Sequence, residues 1–179
     1  ETKPLCVYGS TILAGERHVL GMNSRKGVVI RTSWLYSMFG NNFVKSMLRL
    51  MGEREELCIV EDQIGSQNST PSWVKVLVEL ITNCNLSGVF HWNDGGSISW
   101  YDFALEIQKQ AYDQGVLKRK IPIQPIKTSA FPTNATRPAY SVLDRRRTLE
   151  ELNINPSNWK SELRRVLEEI SSSQRNFNE

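Results

Sequence analysis

Tyr8-Gly9-Ser10-Thr11-Ile12 carries the residue types closest to a catalytic arrangement in this chain. Residues four apart on a helix lie one turn apart on the same face, so a Tyr-x-x-x-Lys pair sets a phenol beside an ammonium. Such a pair can deliver a proton to a carbonyl that is being reduced by hydride, the cation tuning the phenol. Here the last position is Ile12, so the phenol is present and its ammonium partner is not. Only seven residues precede Tyr8, and no glycine-rich dinucleotide loop is expected ahead of it in this chain.

Three other places could meet a ligand. Trp34 follows a buried-looking strand, at the edge where α/β sheets place ligands. A flat indole there could cover a sugar or a base, or simply fill the core. Arg137-Pro138 lies in a proline-bearing loop after Phe131-Pro132. A guanidinium fork suits a diphosphate, while a loop-pinning surface arginine is the plain alternative. Asp62-Gln63 ends a strand and could orient a substrate, but capping the loop backbone is the favoured reading.

The elements that must position these residues are legible as alternation. Val28 to Ile30, Leu57 to Val60 and Val89 to Trp92 read as strands, the last stopped by the turn Asn93-Asp94-Gly95-Gly96. Helical spacing is predicted from Tyr8 to Leu20, Asn42 to Met51, Ser72 to Ile81, Ser99 to Tyr112 and Trp159 to Ile170. Ser99 is a candidate N-cap with Asp102 three residues on, and Trp100, Tyr101 and Phe103 are expected to pack that helix on the sheet. Ile121 to Ile126 is proline-bearing and suits a sheet edge, and Ser171 to Glu179 is expected to fray. Strands alternating with helices predict an α/β fold with parallel strands, and no linker divides residues 1–179.

Bulk properties exclude several classes. The 179 residues carry a net charge of +3, with 40% apolar and 23% charged residues, ordinary for one globular domain. Arg145-Arg146-Arg147 is a dense basic run without interleaved aromatics, read as a solvated helix start, so nucleic acid is not an expected partner. Cys6, Cys58 and Cys84 are odd in number and widely spaced, which argues against a disulfide framework or zinc site. His18 and His91 are expected to be packed or capped rather than ligating, and no metal is expected. With neither a membrane span nor a signal pattern, the expectation is a cytoplasmic protein. The sequons at Asn68, Asn85 and Asn134 are then chance matches.

Several stretches in order resemble one family. They are Val7-Tyr8-Gly9 with Leu13-Ala14-Gly15-Glu16, Arg31-Thr32-Ser33-Trp34, Gly40-Asn41-Asn42-Phe43-Val44, Asp62 to Ser66, Ser99 to Ala104, Phe131-Pro132-Thr133, and Arg137-Pro138 with Ser141 and Leu143-Asp144. Together they resemble the dTDP-4-dehydrorhamnose reductases, a branch of the extended short-chain dehydrogenases/reductases. The resemblance implies the C-terminal part of an NAD(P)-binding, Rossmann-like doubly wound sheet plus a small substrate-binding lobe, intermixed over residues 1–179. It implies NADPH-dependent reduction of the 4-keto group of dTDP-4-dehydro-6-deoxy-L-mannose to dTDP-L-rhamnose, for cell-surface polysaccharide.

In the family's terms Tyr8 is the proton donor and touches the cofactor, Ile12 stands where the ribose-binding lysine belongs, and Trp34 lies against the sugar nucleotide. Arg137 is placed near the substrate, as a phosphate ligand. The family's Gly-Ser-Pro-Thr loop reads Gly65-Ser66-Gln67-Asn68 here. The nucleotide-binding N-terminal half, with its phosphate loop, is absent from these residues. The chain alone is therefore expected to be inactive, with a separately supplied upstream half or a second copy as the partners it would need. The rival expectation is a non-catalytic protein that binds a sugar nucleotide or a regulatory partner, which Ile12 favours.

Overall fold

Apolar runs and amphipathic helices alternate along the chain, and the strands pair side by side because each helix carries the chain back to the start of the next strand. The computed structural model describes residues 2–22, 27–83 and 85–176, with side chains of the last helix described to residue 173; Lys26 and Cys84 lie outside them. Helix α1 (Val7–Met22) leads to β1 (Val28–Arg31), which pairs in parallel with β6 (Gly88–His91), Val28 opposite Gly88 and Arg31 opposite His91. Trp92 N–H donates to the Arg31 carbonyl at 2.9 Å and extends this ladder. Helix α3 (Thr70–Thr82) sets Val76 and Leu80 against Phe90 and Trp92, and α5 (Arg146–Leu152) adds Leu149 and Leu152 to the same small core.

A larger core lies around the second parallel pair, β3 (Leu57–Val60) with β8 (Ile123–Ile126). Helices α2 (Phe43–Glu53), α4 (Trp100–Asp113) and α6 (Trp159–Asn176) close over it with Val44, Met47, Met51, Phe103, Ile107, Leu163, Val166 and Leu167. Pro125 lies in β8 and has no N–H to donate, which suits the edge position expected for this segment.

Two short pairs stitch the cores together: β2 (Leu35–Tyr36) runs parallel to β5 (Asn68–Ser69), and β4 (Ile64–Gly65) antiparallel to β7 (Ile98–Ser99). The sequence gives no sign of these four strands, because two residues are too few for periodicity. The antiparallel pair departs from the all-parallel expectation.

Local chemistry explains the helix starts. The Asn42 side chain accepts from Lys45 N–H at 3.1 Å, and Ser69 caps α3 with Pro71 in its first turn. Ser99 and Asp102 form the expected capping box: Asp102 N–H donates to Ser99 Oγ at 3.0 Å and Ser99 N–H to Asp102 Oδ2 at 2.9 Å. Three expectations are corrected. Ser171 to Asn176 continues α6, because no glycine or proline interrupts it. Ile81, read as part of the apolar face of α3, is exposed, and so is His18.

The basic run at 145–147 is not simply a solvated helix start. Arg145 is half-buried, donates from Nη1 to the Asn93 carbonyl at 2.6 Å and lies over the Trp92 ring. Arg147 lies over Phe90 and donates to the Val89 and Ser87 carbonyls, while Arg146 stays outside with Asp144. Burying planar guanidinium stems against aromatic faces is what arginine does where a loop must be pinned.

Helix α1 buries none of its residues. Its firm hold on β1 is a two-point pair, Arg31 Nε to Glu16 Oε1 at 2.8 Å and Arg31 Nη2 to Glu16 Oε2 at 2.5 Å, with the Glu16 side chain only 11% exposed. The guanidinium holds the Glu16 carboxyl below the ordinary value of 4.5, and the pair raises Arg31 in turn. Since the folded value is the lower one, this contribution is present above the unfolded value and is lost as pH falls through the folded one. Hydrogen exchange corrected for intrinsic rates should therefore show α1 amides losing protection selectively below about pH 4.5. Glu16→Gln should show the same loss at neutral pH; unchanged α1 protection in that variant would refute the tether. In urea unfolding, Arg145→Ala should cost about 2–3 kcal/mol against about 1 kcal/mol for Ser99→Ala, and the reverse order would refute the role given to Arg145.

Candidate functional site

Strand β1 ends in Arg31-Thr32-Ser33-Trp34, and the chain there turns sharply: Trp34 has φ 44°, a left-handed backbone on a bulky residue. Two hydrogen bonds fix the turn onto the buried segment that follows β4. Asn68 Nδ2 donates to Thr32 Oγ1 at 2.5 Å, and Ser33 Oγ to the Ser66 carbonyl at 2.5 Å. Ser66, Gln67, Asn68 and Ser69 are all buried, so the sequon at Asn68 is closed to any glycan. The Trp34 indole lies on Trp100 of α4, ring centroids 3.5 Å apart, and its edge rests above Gly65.

Tyr8 sits in the first turn of α1 and is 75% exposed, and Ile12, one turn on, is 49% exposed. Glu16 is tied to Arg31 at the end of the strand, and Tyr8 precedes Glu16 by eight residues on the same helix, about 12 Å along its axis at 1.5 Å per residue. No hydrogen bond or ring contact joins Tyr8 to Trp34 among the described residues.

The Arg137 loop is anchored on β4: Ile64 N–H donates to the Ala139 carbonyl at 2.8 Å, and Ser141 N–H to the Ile64 carbonyl at 2.8 Å, next to the Gly65 on which the Trp34 edge rests. Residues 131 to 140 are exposed throughout, and Arg137 makes no hydrogen bond or ion pair among the described residues. Asp62 takes the structural role expected: its Oδ1 accepts from Thr128 N–H at 2.8 Å and Thr128 Oγ1 at 2.7 Å, and these bonds hold its carboxyl below the ordinary value. Gln63 donates to the same hydroxyl.

Sequence reasoning missed the buried carboxylate at Asp94, which it read only as part of a turn. Asp94 is fully buried, accepts from Ser69 N–H at 2.6 Å and Ser157 Oγ at 3.0 Å, and is pushed up by burial against the pull of those bonds. His91 is half-buried with Nδ1 3.1 Å from the Asp144 carbonyl oxygen. Cys6 and Cys58 are free thiols, no His, Cys, Asp and Glu cluster among the described residues could hold a metal ion, and none of their helices is long and apolar enough to cross a membrane. Of the residues expected to form the site, Trp34 is stacked on Trp100, while Tyr8 and Arg137 are exposed.

Known proteins share this architecture. A dTDP-4-dehydrorhamnose reductase of Aggregatibacter actinomycetemcomitans is 38% identical over 168 residues, 91% of this chain and 57% of the relative. One from Escherichia coli is 32% identical over 177 residues, 94% of this chain and 58% of its own length. Among solved structures, a dTDP-4-dehydrorhamnose reductase ortholog from Clostridium acetobutylicum matches with a TM-score of 0.86 at 37% identity, covering 96% of this chain and 58% of that one. Another, from Bacillus anthracis in complex with NADP, matches with a TM-score of 0.82 at 36% identity, covering 94% and 57%. The chain spans somewhat more than half the length of these relatives and corresponds to their C-terminal part. A dTDP-glucose 4,6-dehydratase from Bacillus anthracis, 10% identical with a TM-score of 0.75, shares the fold alone. The family model described as the RmlD substrate binding domain matches residues 1–172, from ahead of the Tyr8 helix into α6, and the chain belongs to that family.

Proposed function

We propose that these residues work within an NADPH-dependent reductase of dTDP-4-dehydro-6-deoxy sugars, supplying its proton-donor helix and its sugar-nucleotide lobe, with the proton step impaired at Ile12. One observation supports the reading: α1, which carries the exposed Tyr8, is tied through Glu16 to Arg31 at the end of β1, three residues ahead of Trp34. In this reading β1, β6, α1, α3 and α5 belong to the nucleotide-binding sheet, and α2, α4, α6, β3 and β8 form the lobe for the sugar nucleotide. The apolar, exposed residues Val7, Tyr8, Ile12 and Val19 of α1 support a covering partner, either another part of the full polypeptide or a second copy.

The residues fit a nicotinamide cofactor in part: Tyr8 offers a hydroxyl, whereas the alkyl side chain of Ile12 has no donor for a ribose. When bound, the nicotinamide supplies hydride to the C4 carbonyl carbon of the sugar. Tyr8 gives its hydroxyl proton to the carbonyl oxygen, Trp34 lies flat against the sugar nucleotide, and Arg137 pairs with the diphosphate. Without an ammionium one turn away, that proton transfer is slow. The same Ile12 favours the second reading, a non-catalytic protein that binds a sugar nucleotide.

In the full polypeptide Ile12→Lys should raise kcat for the dTDP-4-dehydro sugar by about 10²-fold or more, leaving dTDP-rhamnose affinity unchanged, and Tyr8→Phe should abolish the gain. No gain with sugar-nucleotide binding intact would give the second reading the stronger claim. Arg137→Ala should weaken dTDP-rhamnose binding about tenfold by calorimetry, and that loss should shrink at high salt.

A further inference from the structure

Trp34 is held more firmly than its place at a strand end requires. Its backbone sits at φ 44°, a region bulky residues avoid unless their surroundings dictate it. Its indole lies nearly parallel to Trp100, centroids 3.5 Å apart and planes 14° from each other. A face-to-face stack is not the arrangement free aromatic pairs prefer, so the packing around them imposes it. Below the ring edge is Gly65, where an added Cβ would come within 2.6 Å of Trp34 Cε2 and Cζ2. Trp100 is itself fixed: it opens α4 directly behind the Ser99–Asp102 capping box and packs on Phe43 at 4.6 Å. Apart from Trp100, the ring nearest Trp34 among the described residues is Phe103 at 6.5 Å, on the same helix.

We infer that Trp100 and Gly65 are positioning residues: they set the plane of the Trp34 indole in advance, so that it meets a ring face of a nucleotide sugar without reorganising. The stack supplies the orientation and the glycine supplies the room. A ring already locked in its bound plane surrenders no rotamer freedom on binding, and that saving appears as affinity. The inference rests on Trp34 being a ligand contact, as proposed above.

Calorimetry on the full polypeptide with dTDP-rhamnose and, separately, NADPH tests both levels. Trp100→Leu and Gly65→Ala should each weaken dTDP-rhamnose binding about three- to tenfold with NADPH affinity unchanged, and Trp100→Phe should restore most of the loss. The circular-dichroism couplet of the stacked indoles should vanish in both Trp100 variants, showing that the pair has been broken. Parent-like dTDP-rhamnose affinity in Trp100→Leu with the couplet gone would overturn the inference. If that variant does not fold, parent-like affinity in Gly65→Ala overturns it instead. Unaltered binding by Trp34→Ala, or no binding by the parent, would instead remove the ligand-contact reading beneath it.

Discussion

A carboxylate buried where the two cores meet is the constraint on which the remaining structure depends. Asp94 accepts from Ser69 at the cap of α3 and from Ser157 ahead of α6, and the Arg145 guanidinium is bonded to Asn93 and Ser157 beside it. Ser69 Oγ in turn donates to Glu162 Oε2 of α6 at 3.0 Å. The neighbouring Tyr36 hydroxyl is buried without a partner, and burial pushes its pKa up. Burying a charge is costly unless its lone pairs are satisfied. The network is therefore all-or-none: segments from residues 69, 94, 145 and 157 must arrive together, and their arrival fixes how the two cores sit. Gly95 and Gly96, at φ 81° and 82°, make the turn possible, since side chains there would strike Arg145 and Trp159.

That junction explains what the sequence could and could not disclose. The strands β1, β3 and β6 and the helices α2, α3, α4 and α6 were legible because burial imprints a period on them, whereas the seven-residue α5 was too short to show one. The Ser99 capping box was legible because its chemistry is local. The two-residue strands at Leu35, Ile64, Asn68 and Ile98 were not, because they exist only where distant segments meet. Arg145 shows the same limit: next to two other arginines it reads as solvent-facing charge, and only Trp92 and Asn93, some fifty residues away, make it interior.

The candidate site follows the same rule. Tyr8 and Ile12 were visible as a pair at helical spacing, and Trp34 as a residue at a strand end. The stack on Trp100 and the floor at Gly65 were invisible, since each is a contact across elements. Legible residues are those whose role is local; the residues that aim them are dispersed.

The position of Ile12 separates chemistry from stability. Helix α1 buries no residue among the described contacts, and Ile12 stands 49% exposed on it, away from the Glu16 tether. Lysine and isoleucine are both accommodated on a half-exposed helical surface, differing by a few tenths of a kcal/mol in propensity. An isoleucine at residue 12 therefore differs from a lysine less in what it asks of the helix than in the charge a lysine would set one turn from the phenol.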